Sequence, residues 1–238
     1  IIDEKLVKST KFKNHKYVGD PLNAVRIFNQ KEVDEIIVID VENYKKKKQI
    51  NFDFINDLAS ECRMPFSYGG GISNMSDVEK LFNLGVEKIT INTNVFTNYN
   101  FINEIAKNFG SQSIVISIDI NSDIFNKKKI YNWRENKNLN FSINQHVKNC
   151  IDNGAGEILY NFVYREGTLQ GFDFQSLDII DEDINIPVIV NGGINSPKEI
   201  KEILTKKKID ACGIGALFIY YGPYNAVLIS YLEEELEY

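Results

Sequence analysis

Two acids in this chain stand where an apolar run gives out. Asp119 closes "SIVISID" (113–119), and Glu166 follows "EILYNFV" (157–163) in the loop "YREGT" (164–168). A carboxylate ending a buried strand is costly unless it faces a polar opening. Asp119 is therefore a candidate general acid or base; the alternative is a helix or loop cap. Gly167 and Thr168 follow Glu166 directly, adding a backbone free to approach a ligand and a hydroxyl. Lys8, in "LVKS" (6–9), lies near the opening of the first strand.

Two Gly-Gly-Ile loops also end strands, at Gly70-Gly71 and Gly192-Gly193. Each is followed one β/α unit later by a small or polar strand end, Asn92-Thr93 and Gly213-Ile214-Gly215. Glycine lets backbone N–H groups approach an anion, and a helix N-terminus adds a favourable dipole. The pattern points to two phosphate sites; the alternative is that the glycines only make tight turns. Three further charges, Glu35, Lys88 and Glu157, each open a strand. They are either rim salt bridges or a ring about a barrel axis, and spacing alone leaves both open.

The elements that must position these groups alternate. Apolar runs at 35–41, 64–70, 88–93, 113–120, 157–163, 186–192 and 211–218 read as parallel strands buried on both faces. Between them lie stretches with apolar residues at helical spacing, including "FQSLDIID" (174–181) and the tail "YNAVLISYLEEELEY" (224–238), taken as an eighth helix. "KKKIYNWR" (127–134) fits a hairpin inserted after the fifth strand, and "LVKS" is either the end of the first strand or part of its loop. Gly70-Gly71-Ile72 recurs 122 residues later as Gly192-Gly193-Ile194, and "DEIIVID" recurs as "GEILYNF" at the same offset. A duplicated half-barrel accounts for that offset. The expected fold is a single α/β domain over 1–238, a (β/α)₈ TIM barrel of two repeated halves. The opening "IIDEKLVKS" has no initiator Met and begins like the middle of an element, so the first strand is expected to be partly missing.

Composition narrows the function. With 238 residues, 43% hydrophobic and 25% charged, the chain suits a globular protein. A net charge of −6 and a pI near 5.1 argue against nucleic acid. "KKKK" (45–48) and "KKK" (206–208) read as solvated charge. Three scattered cysteines suit a reducing, cytoplasmic compartment, and two histidines are too few for a His-based metal site. No long apolar span implies a membrane.

"LVKSTKFKNHKYVGDP", "DEIIVID", "YGGGI", "KITINT", "FGSQSIVISID", "GAGEIL", "REGT" and "NGGI" occur in an order and spacing that resemble the HisF family, the cyclase subunit of imidazole glycerol phosphate synthase. The resemblance implies a barrel with two phosphate sites for a phosphorylated substrate, fed ammonia by a HisH-type glutaminase in a heterodimer. It implies two catalytic aspartates, of which Asp119 matches the second; the first would precede Ile1. Lys8 matches a lysine of the mobile first loop. Gly71, Asn92 and Thr93 match one phosphate site, and Gly167, Gly193, Ile214 and Gly215 the other. Glu35, Lys88 and Glu157 match the ammonia gate, and Glu87 an acid at the glutaminase interface. No cofactor or metal is implied.

"YREGT" stands where the family has "DRDGT", so the acid and the threonine would face the reacting centre. Glu166 displaces that carboxylate by about 1.5 Å, one C–C bond. Tyr164 replaces the other Asp, and Gly215 a common serine. "GIGALFIYYGPYNAVLISYL" resembles a HisF-like paralogue of acetamidino-sugar formation for surface polysaccharide, where a separate sugar amidotransferase receives the ammonia. Three functions follow: that paralogue, a true cyclase of histidine biosynthesis, or a HisA-like isomerase, against which the gate residues argue.

Overall fold

The computed structural model describes residues 1–41, 49–206 and 209–231. The chain opens with an antiparallel hairpin, β1 (Leu6–Thr10) and β2 (Lys13–Gly19), followed by α1 (Pro21–Gln30). Strands and helices then alternate: β3 (Ile36–Ile39), α2 (Phe52–Glu61), β4 (Phe66–Gly69), α3 (Met75–Asn83), β5 (Lys88–Ile91), α4 (Asn100–Phe109) and β6 (Ile114–Ser122). A small insertion, β7 (Lys128–Asn132) and β8 (Lys137–Asn138), precedes α5 (Ile143–Asp152) and β9 (Glu157–Phe162). The chain continues through β10 (Val188–Asn191), α6 (Pro197–Leu204) and β11 (Ala211–Gly213) to the short strands β12 (Tyr220–Tyr221) and β13 (Ala226–Val227).

Seven parallel strands form the central sheet among the described residues, in the order β11-β10-β9-β6-β5-β4-β3. This is the α/β TIM-barrel arrangement, each strand paired with the next strand of the circuit. Ile1 continues it past β3: its amine donates to the Ile39 carbonyl (2.5 Å) and its carbonyl accepts from Val41 N–H (3.2 Å). β4 and β10 lie four steps apart, half of an eight-strand circuit, so the Gly70-Gly71 and Gly192-Gly193 loops face one another on one end of the sheet.

The strands form here because β-branched runs are buried on both faces. Ile114, Ile116, Ile118, Ile158 and Val190 join the large core against the helices, with Leu58, Leu81, Ile105 and Ile203. The alternate residues Val115, Leu159 and Ile189 make a separate apolar layer with Ile37 on the opposite, interior face. Except for α4, the described helices start where side chains accept the orphan N–H groups of the first turn, at Asp20, Asn51, Asn74, Ser142 and Ser196.

The half-barrel repeat holds in atomic detail. Gly70 and Gly192 adopt φ of 125° and 128°, and a Cβ at either would strike the carbonyl of the preceding strand end, Asp40 or Phe162. Those carbonyls are themselves 122 residues apart, as are the caps Asn74 and Ser196. Only glycine fits both loops.

The tail departs from expectation. Residues 220–227 form a hairpin, not the start of a helix; Gly222 and Asn225 take positive φ, and Asn225 N–H bonds Gly222 O. The turn chemistry of "GPYN" overrides the helical spacing. Residues 232–238, with "KKKK" and the last two lysines of "KKK", lie outside the described residues. Phe174–Ile179 is a 3₁₀ turn rather than an α-helix, with Ser176 Oγ donating to Asp173 O (2.5 Å) and competing with helical bonding. "LVKS" belongs to the first-loop hairpin, and the insertion after the fifth strand is present as β7 and β8. The last parallel strand stops at Gly213, and a 3₁₀ turn follows at Ala216–Phe218. Among the described residues no helix is long and apolar enough to cross a membrane.

Candidate functional site

Strand alternation stacks three levels on the interior face. At the strand starts, Lys88 Nζ lies 2.7 Å from Glu35 Oε2 and 2.7 Å from Glu157 Oε1. Ser67 Oγ donates to the remaining oxygen of Glu35 (2.6 Å). The three charges come from the starts of β3, β5 and β9 and the hydroxyl from β4, so they converge from around the axis rather than pairing along one edge. Burial disfavours the Lys88 ammonium, but its bonds to Glu157 and Glu35 outweigh that and raise its pKa. Glu87 is exposed on the rim beside them. Above lies the apolar layer of Ile37, Val115, Leu159 and Ile189.

The third level is at the strand ends. Asp119, Asn161, Asn191 and Gly213 are in register on β6, β9, β10 and β11. Asp119 is buried; Asn161 Nδ2 donates to its Oδ1 (3.0 Å) and Asn92 Nδ2 to its Oδ2 (2.8 Å). Desolvation pushes the Asp119 carboxyl up to about 7, the two amides oppose this, and the charge of Glu166 adds to it. A carboxyl raised to that range by burial has the pKa that general acid–base work near neutrality calls for. Two further polar atoms, Thr90 Oγ1 on β5 and Asn92 Oδ1 just after it, are buried and without a protein partner.

Glu166 is also buried. Its Oε1 pairs with Lys8 Nζ (2.8 Å), and its Oε2 accepts from Asn191 Nδ2 (3.2 Å). The first-loop hairpin holds the pair down: Lys11 N–H bonds Glu166 O (2.9 Å), and Ser9 O packs where a side chain at residue 167 would stand. Glu166, Gly167, Asn191, Gly193, Ile214 and Gly215 line one cavity, so the second set of expected phosphate residues is gathered at a single place. Gly70 and Gly71 follow β4, and Asn92 and Thr93 follow the neighbouring β5. Gly192 opens the loop that follows β10.

Thr168 is not aimed at the carboxylates: its hydroxyl donates to Arg165 O (2.7 Å) and closes its own turn. Tyr164 is likewise drawn aside, its hydroxyl donating to Asp173 Oδ2 (2.6 Å) with Lys128 Nζ 4.2 Å above its ring. Sequence reasoning missed Asn161, Asn191 and Ser67. The two asparagines were findable, because Asn161 continues the alternation of Glu157 and Leu159, and Asn191 directly precedes Gly192. Among the described residues no group of three or more His, Cys, Asp or Glu side chains is placed to hold a metal ion.

Comparison with known proteins matches residues 1–225 to the family described as "Histidine biosynthesis protein". A Pseudomonas aeruginosa protein named "Putative imidazole glycerol phosphate synthase subunit hisF2" is 39% identical over 96% of this chain and 91% of its own length. A Leptospira interrogans protein with the corresponding HisF name is 38% identical over 97% and 91%. The Lactococcus lactis "Imidazole glycerol phosphate synthase subunit HisF" is 30% identical over 98% and 88%.

Proposed function

The chain belongs to the histidine biosynthesis protein family, and from that premise we propose that it is a HisF-like synthase subunit that takes ammonia from a HisH-type glutaminase at its lower rim. The ammonia passes along the barrel interior to the Asp119–Glu166 end. There it supports nitrogen incorporation into a sugar or phosphosugar, in acetamidino-sugar formation for surface polysaccharide. One observation carries the reading: the order Lys88 with its two carboxylates, apolar layer, buried Asp119 along one interior face. Paired charges close the entrance to ions and bulk water, and the apolar layer favours a small neutral molecule over ammonium. Exposed Glu87 supplies a rim contact for the glutaminase. The loops at Gly71, Asn92 and Thr93 and at Gly193 and Gly215 offer backbone donors for phosphate.

A cyclase acting in histidine biosynthesis is the second reading, favoured by the retained Asp119. Greater identity to the hisF2-named relative than to the Lactococcus HisF, together with Tyr164 and Gly215, favours the paralogue. The test is Lys88→Met, assayed with the glutaminase and the acceptor enzyme. The variant is expected to keep its ammonium-driven rate and lose glutamine-driven product. Equal loss from both nitrogen sources would reduce the cluster to a stabilising salt bridge.

A further inference from the structure

We propose that Asn161 and Asn191 are positioning residues, forming an amide bridge that fixes the two buried carboxylates, Asp119 and Glu166, at one level of the opening. The inference deepens the function proposed above and rests on it for the use of those carboxylates. The bridge itself stands on geometry. Asn161 Nδ2 donates to Asp119 Oδ1 (3.0 Å), leaving Asn161 Oδ1 to accept from Asn191 Nδ2 (2.9 Å). Asn191 Nδ2 also reaches Glu166 Oε2 (3.2 Å), so one amide spans both halves of the site.

Strand pairing fixes the arrangement. Asn161 is the register partner of both Asp119 and Asn191, so the three side chains leave the sheet side by side on the same face. Asparagine suits the middle of such a row because it carries a donor and an acceptor at once. An apolar residue at 161 would leave Asp119 with the Asn92 amide as its remaining side-chain donor. A carboxylate there would place a second charge against it. The charged and titratable groups facing Asp119 are Glu166 with its partner Lys8, and the Tyr131 phenol.

The test reads the carboxylates directly, in protein without substrate or partner. Aspartate carboxyl carbons are labelled with carbon-13, and the Asp119 signal is identified by its loss in Asp119→Asn. In Asn161→Leu the Asp119 midpoint is expected to rise by about one pH unit, the effect of losing one hydrogen bond to a charged group. A midpoint unchanged in a folded variant, with only a lower Tm, overturns the bridge. If Asn161→Leu does not fold, Asn191→Leu is read instead. An upward shift of the Asp119 midpoint in that folded variant supports the bridge, and no shift overturns it. Because no ammonia transfer is measured, failure here leaves the ammonia reading standing, and failure of that reading leaves these midpoints as expected.

Discussion

Lys8 Nζ lies 2.8 Å from Glu166 Oε1, with both side chains nearly buried, at 14% and 11% exposure. The same ammonium sits 2.5 Å from where a Cβ on Gly215 would stand. The missing side chain at 215 thus makes room for the lysine that neutralises Glu166. Gly215→Ser is expected to push the hairpin away, raising amide exchange at Lys11, which bonds Glu166 O, by about tenfold. Lys8→Met leaves Glu166 charged and unpaired, and thermal or urea unfolding should show a loss of about 2 kcal/mol. Unchanged Lys11 exchange in Gly215→Ser would contradict this linkage.

Asp119 makes stability depend on pH. Its folded pKa, near 7, lies above the unfolded value of 3.8, so the folded state holds the proton more tightly. Stability contributed by this group is full below about pH 4, falls as pH rises toward 7, and stays low above it. Asp119→Asn should remove that penalty. At pH 8 the variant is expected to be more stable than the wild type by on the order of 4 kcal/mol, the gain vanishing toward pH 4. Asn92, whose Oδ1 has no partner, can turn its amide to accept from the new side chain. Turnover should fall by ~10²-fold if Asp119 moves a proton. Calorimetry of both proteins across this range checks the sign.

The Tyr164 hydroxyl, Asp173 and Lys128 form one closed cluster, with Lys128 Nζ 3.0 Å from Asp173 Oδ2. Tyr164→Asp, which restores the residue common in the HisF family, sets a second carboxylate against Asp173. It also removes the ring under Lys128. The expected cost is about 2 kcal/mol in urea unfolding; a stable, unperturbed variant would mean the cluster contributes little.

Anion binding should be salt-sensitive and localised. Phosphate or sulfate is expected to shift amide signals of Gly71 and Thr93 and of Gly193 and Gly215, in that both loops present backbone N–H groups at strand ends. A bis-phosphate sugar should engage both loops. No response to it at low salt would count against a phosphorylated substrate.

Much of this was legible in the sequence because it follows from period and punctuation. Buried runs gave parallel strands, and the 122-residue repeat placed Gly70 and Gly192 facing each other. Glu35, Lys88 and Glu157 were visible as charges at strand starts, but their meeting depends on stagger between strands that single runs do not encode. Asn161 and Asn191 escaped because one asparagine at a strand end looks like a turn residue; only the register makes them a row. Thr168 was assigned to the reacting centre by resemblance, and a local bond to Arg165 claimed its hydroxyl. In the tail, apolar spacing from Tyr224 points to a helix, and the turn at Gly222 and Asn225 prevails over it.

The most direct measurement of the central claim follows the nitrogen itself. The protein, with the HisH-type glutaminase and the acceptor enzyme proposed for it, is supplied with amide-¹⁵N glutamine in an excess of unlabelled ammonium, and the isotope in the product is read by mass spectrometry. Passage from the Lys88 rim through the layer of Ile37, Val115, Leu159 and Ile189 to Asp119 predicts product carrying mostly ¹⁵N, since ammonia inside the barrel does not mix with the bulk. Product whose label matches the diluted bulk pool would mean that the ammonia travels through solvent, and the account would fail.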